Sequence, residues 1–525
     1  MMDMNQQTPS IAKTQLVALL GSDGVVSDPS ELSFFSQDLH TIGHLPLAIA
    51  RPDSSERVAR LIHHCRHEKW AIFPRGGGMS YTRAYQPTLQ RSIILDFSRL
   101  NRIREISTQD GHVTVEAGCT WAALDDALAA HNVRSRFWGP MSGLNATIGG
   151  SMSQGSVTFG SGQVGASANA VKSFEVVTGC GDILHSGSDG SDNTTPFNRN
   201  FGPDLTGMFA NDAGALGIKT AVTLEIEPRP AKVSGISFAC NTFAAMAELF
   251  GQLSARRLAS ELIAMDGEVA RQNAGPADWR ADARSVWRVS RAAGNPLAAI
   301  NRVARIAIGG RHFLDNAQYT AHFAVEGRDA RDLRSRLAAI RALSGNHPEI
   351  VNSVPLMIRA HPFPVLPVTQ ADGRRMLPIH GVFPYSAIAA FHVDYCKLKD
   401  RFAPRMQQLK LSVAEYFAGV AGIGMLYEPV FSWPDSLALY HRRMMPPYLQ
   451  GKVADYPENL PARALVDEMA GTIIALMRKH GSSHFQLGRL YPYAQQREAS
   501  GLKLLREIKS LLDPDNIINP GALGL

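Results

Sequence analysis

With 525 residues, 45% of them hydrophobic and 19% charged, the chain is too long for one hydrophobic core, since single cores stop growing at about 250–300 residues. Its 45 glycines show no collagen-like period, and the composition excludes a disordered or fibrous protein. The net charge of +6 comes from scattered Lys and Arg without a basic run, which argues against nucleic-acid binding and suits an anionic cofactor or substrate.

Cysteine usage and hydropathy exclude further classes. Five cysteines lie far apart without C-x-x-C spacing, so the sequence predicts neither a disulfide framework nor a zinc site. Residues 1–13 lack the basic-then-apolar order of a signal peptide, and no run of 18 apolar residues occurs. We therefore expect a cytoplasmic protein that does not enter a membrane.

The first part of the chain predicts a small β-α-β lobe that ends at a glycine cluster. Strand-like runs at 47–51 and 70–74 bracket a helical run at 56–67, and the sequence Arg-Gly-Gly-Gly follows at 75–78. Further elements are predicted as strands at 92–96, 112–116, 173–178 and 221–227 and as a helix at 121–131.

Two glycine-rich loops predict a bound ligand. Three consecutive glycines after the strand at 70–74 let backbone N–H groups converge on an anion, because no Cβ blocks the approach, and a diphosphate suits such a loop. Segment 139–165 contains eight glycines and no charged side chain. Either loop alone is more often an empty turn or Ω-loop, but two such loops in one lobe favour a ligand.

From 231 to 460 the pattern changes. Helical runs at 330–343 and 386–401 alternate with apolar strand-like runs at 306–308 and 319–325, which predicts a separate α+β domain. The alternation thus divides the chain into at least two folded units.

Four segments occur in one order along nearly the whole chain: RGGGMSY at 75–81, ATIGG at 146–150, DAGALGI at 212–218 and DPDNIINPG at 513–521. Together they resemble the vanillyl-alcohol oxidase / p-cresol methylhydroxylase (PCMH-type) flavoprotein family. The resemblance implies FAD as cofactor. It also implies an α+β fold, with a two-lobed PCMH-type FAD-binding domain and an inserted α+β substrate (cap) domain.

The same resemblance implies an FAD-binding part at 1–230, a cap at 231–460 and a C-terminal segment at 461–525 that completes the FAD and active-site region. The glycine loops would hold the FAD diphosphate, and 212–218 would lie along the adenine side. The cofactor-binding residues that it implies are Arg75, Gly76, Gly77, Gly78, Met79, Ser80, Tyr81, Pro140, Thr147, Gly149, Gly150, Ser151, Gly155, Ser156, Gly162, Gly165, Gly214, Gly217, Ile218 and Asn519.

The catalytic candidates come mainly from 484–493, which the resemblance places facing the flavin. Arg489 would hold a substrate carboxylate or phenolate with its planar guanidinium. Tyr491 or Tyr493 would share the hydroxyl proton or orient the substrate, and Tyr427 is the fourth candidate. A surface ion pair for Arg489 and ordinary half-buried aromatic packing for the tyrosines are the alternatives.

The metal motifs of the glycolate and D-lactate dehydrogenase branch are missing near 380–385 and 483–486, so no metal is expected and His380 is interpreted as structural. The residue pattern of 415–433 is more similar to that of the branch that oxidises phenols. Glu428 and Trp433 line either the pocket or the core.

The usual covalent flavin anchors align with Met79 and with Gly424 and Met425, which favours non-covalent FAD, although Tyr427 keeps a covalent link open. The leading function is oxidation of a small alcohol or phenolic substrate by hydride transfer to flavin N5. The alternatives are a D-2-hydroxy-acid (lactate/glycolate-type) dehydrogenase and a non-catalytic flavin- or anion-binding protein. Expected partners are a small-molecule substrate and oxygen or an unidentified carrier as electron acceptor, with no nucleic acid or membrane, and a homodimer is compatible with the sequence.

Overall fold

The computed structural model describes residues 4–267, 317–350, 354–355, 359, 362–366 and 368–525. Three sheets with helices packed on them make up these parts of the chain, which confirms the α+β class. The predicted strand at 306–308 lies outside the described residues. None of the helices described is both long and apolar enough to span a bilayer.

The first lobe is a four-stranded sheet of order β1-β2-β4-β3 in which β2, β3 and β4 run parallel. Its strands are β1 (Val25–Val26), β2 (Ala48–Ala50), β3 (Ala71–Arg75) and β4 (Ser92–Asp96), and its helices are α1 (Met4–Leu20), α2 (Pro29–Phe35) and α3 (Ser55–Glu68). Helix α3 begins at Ser54, whose hydroxyl accepts a hydrogen bond from the N–H of Arg57. Val58, Leu61 and Cys65 recur at helical spacing and are buried. This packing places the glycine loop at the carboxyl end of β3, where ligands bind in parallel sheets.

The second lobe is an antiparallel sheet in which β10 pairs with β6, β7 and β8. Its strands are β5 (Ile103–Ser107), β6 (His112–Glu116), β7 (Val133–Ser135), β8 (Val171–Val177), β9 (Ile183–His185) and β10 (Ile218–Pro228), and its helices are α4 (Trp121–Ala129), α5 (Ile148–Gln154), α6 (Ser161–Val164) and α7 (Leu205–Phe209). Helix α5 begins at Thr147, whose hydroxyl accepts from the N–H of Gly150 at 3.3 Å. The second glycine-rich segment therefore folds as a capped helix start rather than as an open loop.

The cap begins four residues after β10 ends and carries an eight-stranded sheet. Its strands are β11 (Lys232–Cys240), β12 (Glu261–Asp266), β13 (Tyr319–Gly327), β14 (Glu349–Ile350), β15 (Arg375–Pro378), β16 (Gly381–Phe383), β17 (Ser412–Val420) and β18 (Gly424–Trp433). Its helices are α8 (Phe243–Ala255), α9 (Ala330–Ser344), α10 (Tyr385–Gln408), α11 (Leu439–Met444) and α12 (Leu460–Lys479). The patterns at 319–325, 330–343 and 386–401 correspond to β13, α9 and α10.

Helix α12 packs within the cap, because Leu465, Met469 and Ile473 belong to the cap core. After it the chain returns to the first lobe, where the N–H of Arg489 donates to the carbonyl of Thr82 at 2.9 Å, and α13 (Ala499–Leu512) packs Leu505 and Ile508 on the core of the second lobe. The N–H of Ile72 then donates to the carbonyl of Ile517 at 2.7 Å. The C-terminal segment thus adds to the edge of the first sheet beside β3.

Candidate functional site

A cavity of about 420 Å³ lies where the two lobes meet the cap. The first glycine loop, the start of α5 and the start of β10 form one wall. Strands β12, β15, β17 and β18 form the other. Sequence segments that are hundreds of residues apart thereby meet around one space.

The loop after β3 offers backbone donors to this cavity. Across Gly76–Tyr81 the backbone N–H groups have no protein acceptor in the part of the chain that is described. Gly78 has a φ of +68°, which favours glycine, and its carbonyl accepts from the hydroxyls of Tyr85 and Tyr440 at 2.9 and 2.8 Å. A loop held in this way, with free N–H groups, is suited to a diphosphate.

Several glycines of the two loops also allow close packing between the loops and their neighbours, which the sequence does not reveal. A Cβ on Gly77 would overlap the backbone carbonyl of Asn145, and a Cβ on Gly76 would overlap the hydroxyl of Thr147. A Cβ on Gly149 would come within 2.6 Å of the Cβ of Ala117. These glycines let the loops pack closely on neighbouring backbone and small side chains.

Most of the predicted cofactor residues line the cavity, and four do not. Gly162 packs on the carbonyls that precede β12, and Gly165 faces Asn169. Arg75 lies beneath the first loop among aromatic rings, and Asn519 donates to the carbonyls of Ala84 and Ala213. The lining residues are Gly76, Gly77, Gly78, Met79, Ser80, Tyr81, Pro140, Thr147, Gly149, Gly150, Ser151, Gly155, Ser156, Gly214, Gly217 and Ile218.

Among the catalytic candidates, Arg489 is placed as a structural clamp. Its guanidinium donates to the carbonyls of Arg83, Ala84 and Pro520 and to Oδ1 of Asn519, at 2.7–3.2 Å. Burial lowers the pKa of Arg489 to about 10. It does not line the cavity, and its donors are used in tying the C-terminal segment to the first lobe.

The three tyrosines lie outside the cavity lining as well. The Tyr491 hydroxyl accepts from the backbone N–H of His380 at 2.8 Å and is 2% exposed. Tyr493 lies under the guanidinium of Arg497 at 4.6 Å. Tyr427 is buried in the cap core, and its hydroxyl is 3.0 Å from Nδ1 of His392. Two of them touch residues that face the cavity: Tyr491 contacts His380, and the Tyr427 ring packs on Phe417 with 4.9 Å between the ring centres.

The polar centre of the cavity is a cluster of Tyr81, His380 and Glu428, all of which line it. The Tyr81 hydroxyl donates to Oε1 of Glu428 at 3.1 Å and lies 3.5 Å from Nδ1 of His380. Nδ1 also lies 3.2 Å from the Tyr491 hydroxyl, while Nε2 is 2.9 Å from the carbonyl of Phe485. The backbone N–H of Phe485 also lies 3.0 Å from Nε2, so these partners accommodate either neutral tautomer of the ring.

Burial sets the protonation of this cluster. It raises the pKa of Glu428 to about 7, against which the hydrogen bond from Tyr81 acts. Burial, together with the nearby His484, lowers the pKa of His380 to about 3, so the ring is neutral near pH 7. Burial also raises the pKa of Tyr81 well above its usual value. Glu428 is therefore the member of the cluster that changes charge near neutral pH.

Comparison with known proteins agrees with this architecture. The FAD binding domain family matches residues 46–187, and the C-terminal domain family of FAD linked oxidases matches residues 489–523. A crystal structure of p-cresol methylhydroxylase with substrate bound has a TM-score of 0.71 at 17% identity and covers 99% of this chain and 97% of that one. A structure of alkyldihydroxyacetonephosphate synthase has a TM-score of 0.69 at 16% identity, over 98% and 84% of the two chains.

The chain is an FAD-binding protein with the PCMH-type fold. It resembles the glycolate oxidase subunit of Bacillus subtilis at 26% identity, over 42% of this chain and 45% of the relative. It resembles the mitochondrial D-2-hydroxyglutarate dehydrogenase of Rattus norvegicus at 28% identity, over 43% and 41%. These matches span less than half of either relative.

The cavity of this PCMH-type chain fits FAD by its chemistry. Unpaired loop N–H groups suit the diphosphate, and Gly214, Gly217 and Ile218 form a narrow wall beside them. Lys219 lines the same wall, and its Nζ donates a hydrogen bond to Oδ1 of Asp212 at 2.7 Å. Loops with this composition would hold the dinucleotide, and the cap strands would cover the ring system.

The positions aligned with covalent flavin anchors differ in placement. Met79 lines the cavity, whereas Met425 is fully buried in the cap core. Neither side chain offers the imidazole or phenol of the usual link, so non-covalent FAD stays a prediction. Within the described ranges, no group of three or more His, Cys, Asp and Glu side chains is arranged to hold a metal ion.

Glu428 is the residue of this polar cluster that the sequence marks least. It is the one carboxylate in the apolar strand β18, and it follows Tyr427. Successive residues of a strand point to opposite faces, so burial of Tyr427 in the core directs Glu428 to the other side. That alternation was a usable signal.

The remainder of the substrate side is mainly apolar, with Tyr416 and Gln486 as further polar side chains. Lys219 is the one Lys or Arg of the described chain that lines the cavity, and it is paired with Asp212. The apolar lining from the cap and its approaches includes Leu262, Ile263, Leu366, Val368, Met376, Phe417 and Leu426.

Proposed function

We propose that this chain is an FAD-dependent oxidoreductase that oxidises a small, uncharged alcohol or phenolic substrate, with hydride transfer to flavin N5. The observation that carries the proposal is Glu428, a carboxyl whose pKa is raised to about 7, beside Tyr81 and His380 in the cavity next to the FAD loops. A catalytic base with its pKa near the working pH is the most efficient one.

Each side chain of the cluster has a separate role in the proposed reaction. Glu428 takes the proton from the substrate hydroxyl, because its Oε2 has no hydrogen-bond partner in the part of the chain described. Tyr81 donates to Oε1 and keeps it in place, and neutral His380 lies between the two tyrosine hydroxyls, with Nδ1 3.5 Å from that of Tyr81 and 3.2 Å from that of Tyr491. Bound FAD supplies the two-electron acceptor.

The lining favours an uncharged substrate. A carboxylate or phenolate in a cavity closed from water needs a cation, and Lys219 of the described lining is engaged by Asp212. An ionised Glu428 would repel an anionic substrate further. Apolar residues such as Met376, Phe417 and Leu426 suit an aromatic or aliphatic body.

A D-2-hydroxy-acid substrate is the second candidate, supported by the names of the two curated relatives. The cavity lining described lacks a free cation to recognise its carboxylate, so this candidate ranks below. Oxygen or a carrier as electron acceptor, a homodimer and a cytoplasmic location remain predictions.

Reduction of the flavin without air tests the proposal. Holoenzyme is mixed with uncharged benzylic and aliphatic alcohols and alkylphenols, and separately with D-lactate, glycolate and D-2-hydroxyglutarate. We expect flavin absorbance near 450 nm to bleach with members of the first set. Bleaching by the hydroxy acids alone would favour the second candidate, and bleaching by neither set would support a non-catalytic flavoprotein.

A further inference from the structure

The first glycine loop rests on a buried cation. Arg75 is 3% exposed, and its guanidinium carbon lies 4.1, 5.0 and 5.2 Å from the ring centres of Phe35, Phe34 and Tyr85. We call these three rings the cage. A Cβ added to Gly78 would lie 2.9 Å from the guanidinium carbon, so the charge abuts the backbone of the loop.

This cation forms no ion pair with a carboxylate of the described residues. No carboxylate of the described residues lies within 4.0 Å of the Arg75 guanidinium, and its Nε has no hydrogen-bond partner there. Arg51 provides the contrast, since it lies 5.8 Å from the same Phe35 ring but pairs with Asp96 at 2.7 Å. Burying a charge without a partner is costly, whereas cation–π contacts recover part of that cost.

The loop above the cation is fixed by one tyrosine of the first lobe and one from outside it. Tyr85 of the cage and Tyr440 of α11 both donate to the carbonyl of Gly78. Tyr440 also stacks on Phe34 of the cage at 6.1 Å. These two hydroxyls hold the carbonyl of the Gly78–Met79 peptide, and so constrain the direction in which its N–H points.

We propose that caged Arg75 is the counter-charge of the FAD diphosphate, acting through the Gly76–Tyr81 backbone, and that Tyr85 and Tyr440 are positioning residues for that loop. The missing acidic partner is then supplied by the cofactor, whose two phosphates carry the negative charge. This role concerns cofactor selection and does not depend on which substrate is oxidised.

The test compares two probes that differ in charge. Dissociation constants of FAD and riboflavin are measured on the full-length chain freed of its flavin, and their ratio isolates what the nucleotide diphosphate adds. We expect Arg75→Met to reduce the preference for FAD over riboflavin by about tenfold or more, the size of a lost charge-assisted interaction. Arg75→Lys, which keeps the charge, should retain a preference within about threefold of the parent.

Arg51→Met is the matched control, because it removes an arginine on the same ring that already has a carboxylate partner, and its FAD-to-riboflavin preference should equal that of the parent. An unchanged preference in folded Arg75→Met, or an equal loss in Arg75→Lys and Arg75→Met, would overturn the proposal. If Arg75→Met does not fold, the double variant Tyr85→Phe, Tyr440→Phe tests the proposal in its place. It should lose preference by about threefold or more, and an unchanged value there would also overturn the proposal.

Discussion

The two walls of the cavity differ in the groups that they present to it. On the FAD side, glycine-rich loops present peptide groups, and Gly77 lies against the backbone of Asn145 while Gly76 and Gly149 lie against the side chains of Thr147 and Ala117. On the cap side, side chains of an antiparallel sheet present apolar surface with one carboxyl, Glu428. We propose that the first wall recognises the cofactor through a conformation of the chain and that the second recognises the substrate through individual side chains. Substitutions in the cap-side wall should therefore mainly slow flavin reduction, whereas substitutions in the FAD-side wall should mainly lower stability.

The largest effect is expected on the cap side. Glu428→Gln keeps size and a hydrogen-bonding oxygen but cannot take a proton, so the rate of flavin reduction should fall by about a hundredfold or more. FAD content and melting temperature should stay near those of the parent. Rapid-mixing reduction without air measures the rate, and a rate within about threefold of the parent would remove Glu428 from the chemistry.

On the FAD side, loss of folding should come first. Gly77→Val would force a branched side chain into the carbonyl of Asn145, which should cost about 3 kcal/mol or more because backbone has to move. Gly150→Ala is the matched control, since its Cβ meets only the Thr147 hydroxyl at 3.1 Å. Thermal unfolding of both variants checks this. Equal melting temperatures for the two would show that the loops do not pack as described.

Arg489→Met probes a residue that belongs to neither wall. Its loss leaves the carbonyl groups of Arg83, Ala84 and Pro520 without their donor, which should lower the free energy of unfolding by about 1–3 kcal/mol. The folded fraction should reduce its flavin at a rate within about threefold of the parent. Chemical denaturation and rapid mixing separate the two effects, and a large rate loss at unchanged stability would return Arg489 to the substrate site.

The smallest effect is expected for Tyr427→Phe. This change removes one hydrogen bond to His392 inside the cap core and should cost about 1 kcal/mol of stability. Glu428 next to it points to the other face, so the rate of flavin reduction should change by less than about twofold. Denaturation curves and reduction rates on the same preparation check both expectations, and a tenfold slower rate would contradict them.

The difference between the walls also explains how far the sequence could predict them. The loop at 75–81 was visible because its signal is local: a strand, then three glycines. Arg489 was not, because its acceptors lie at 83–84 and 519–520 and only the fold brings them to it. From the sequence alone, an arginine near a flavin segment is as compatible with holding the substrate as with a structural role.

The cap wall depended on contacts between distant residues. His380 joins Tyr81 from the first lobe to Tyr491 from the C-terminal segment, and no local pattern marks such a set. Glu428 was accessible in principle, since strand alternation places it opposite Tyr427. Its raised pKa, however, follows from burial that only the assembled lobes and cap create.

The pH dependence of flavin reduction, measured without air on the parent and on Glu428→Gln with one uncharged alcohol that bleaches the flavin, tests the central claim most directly. Glu428 must be ionised to take the hydroxyl proton, and its pKa is raised to about 7, so the parent rate should rise by about tenfold per pH unit below 7 and level off above it. His380, with its pKa lowered to about 3, adds no inflection between pH 5 and 9. The variant should be slow and flat over that range. A parent profile that is flat, or an inflection that survives in Glu428→Gln, would contradict the assignment of Glu428 as the base.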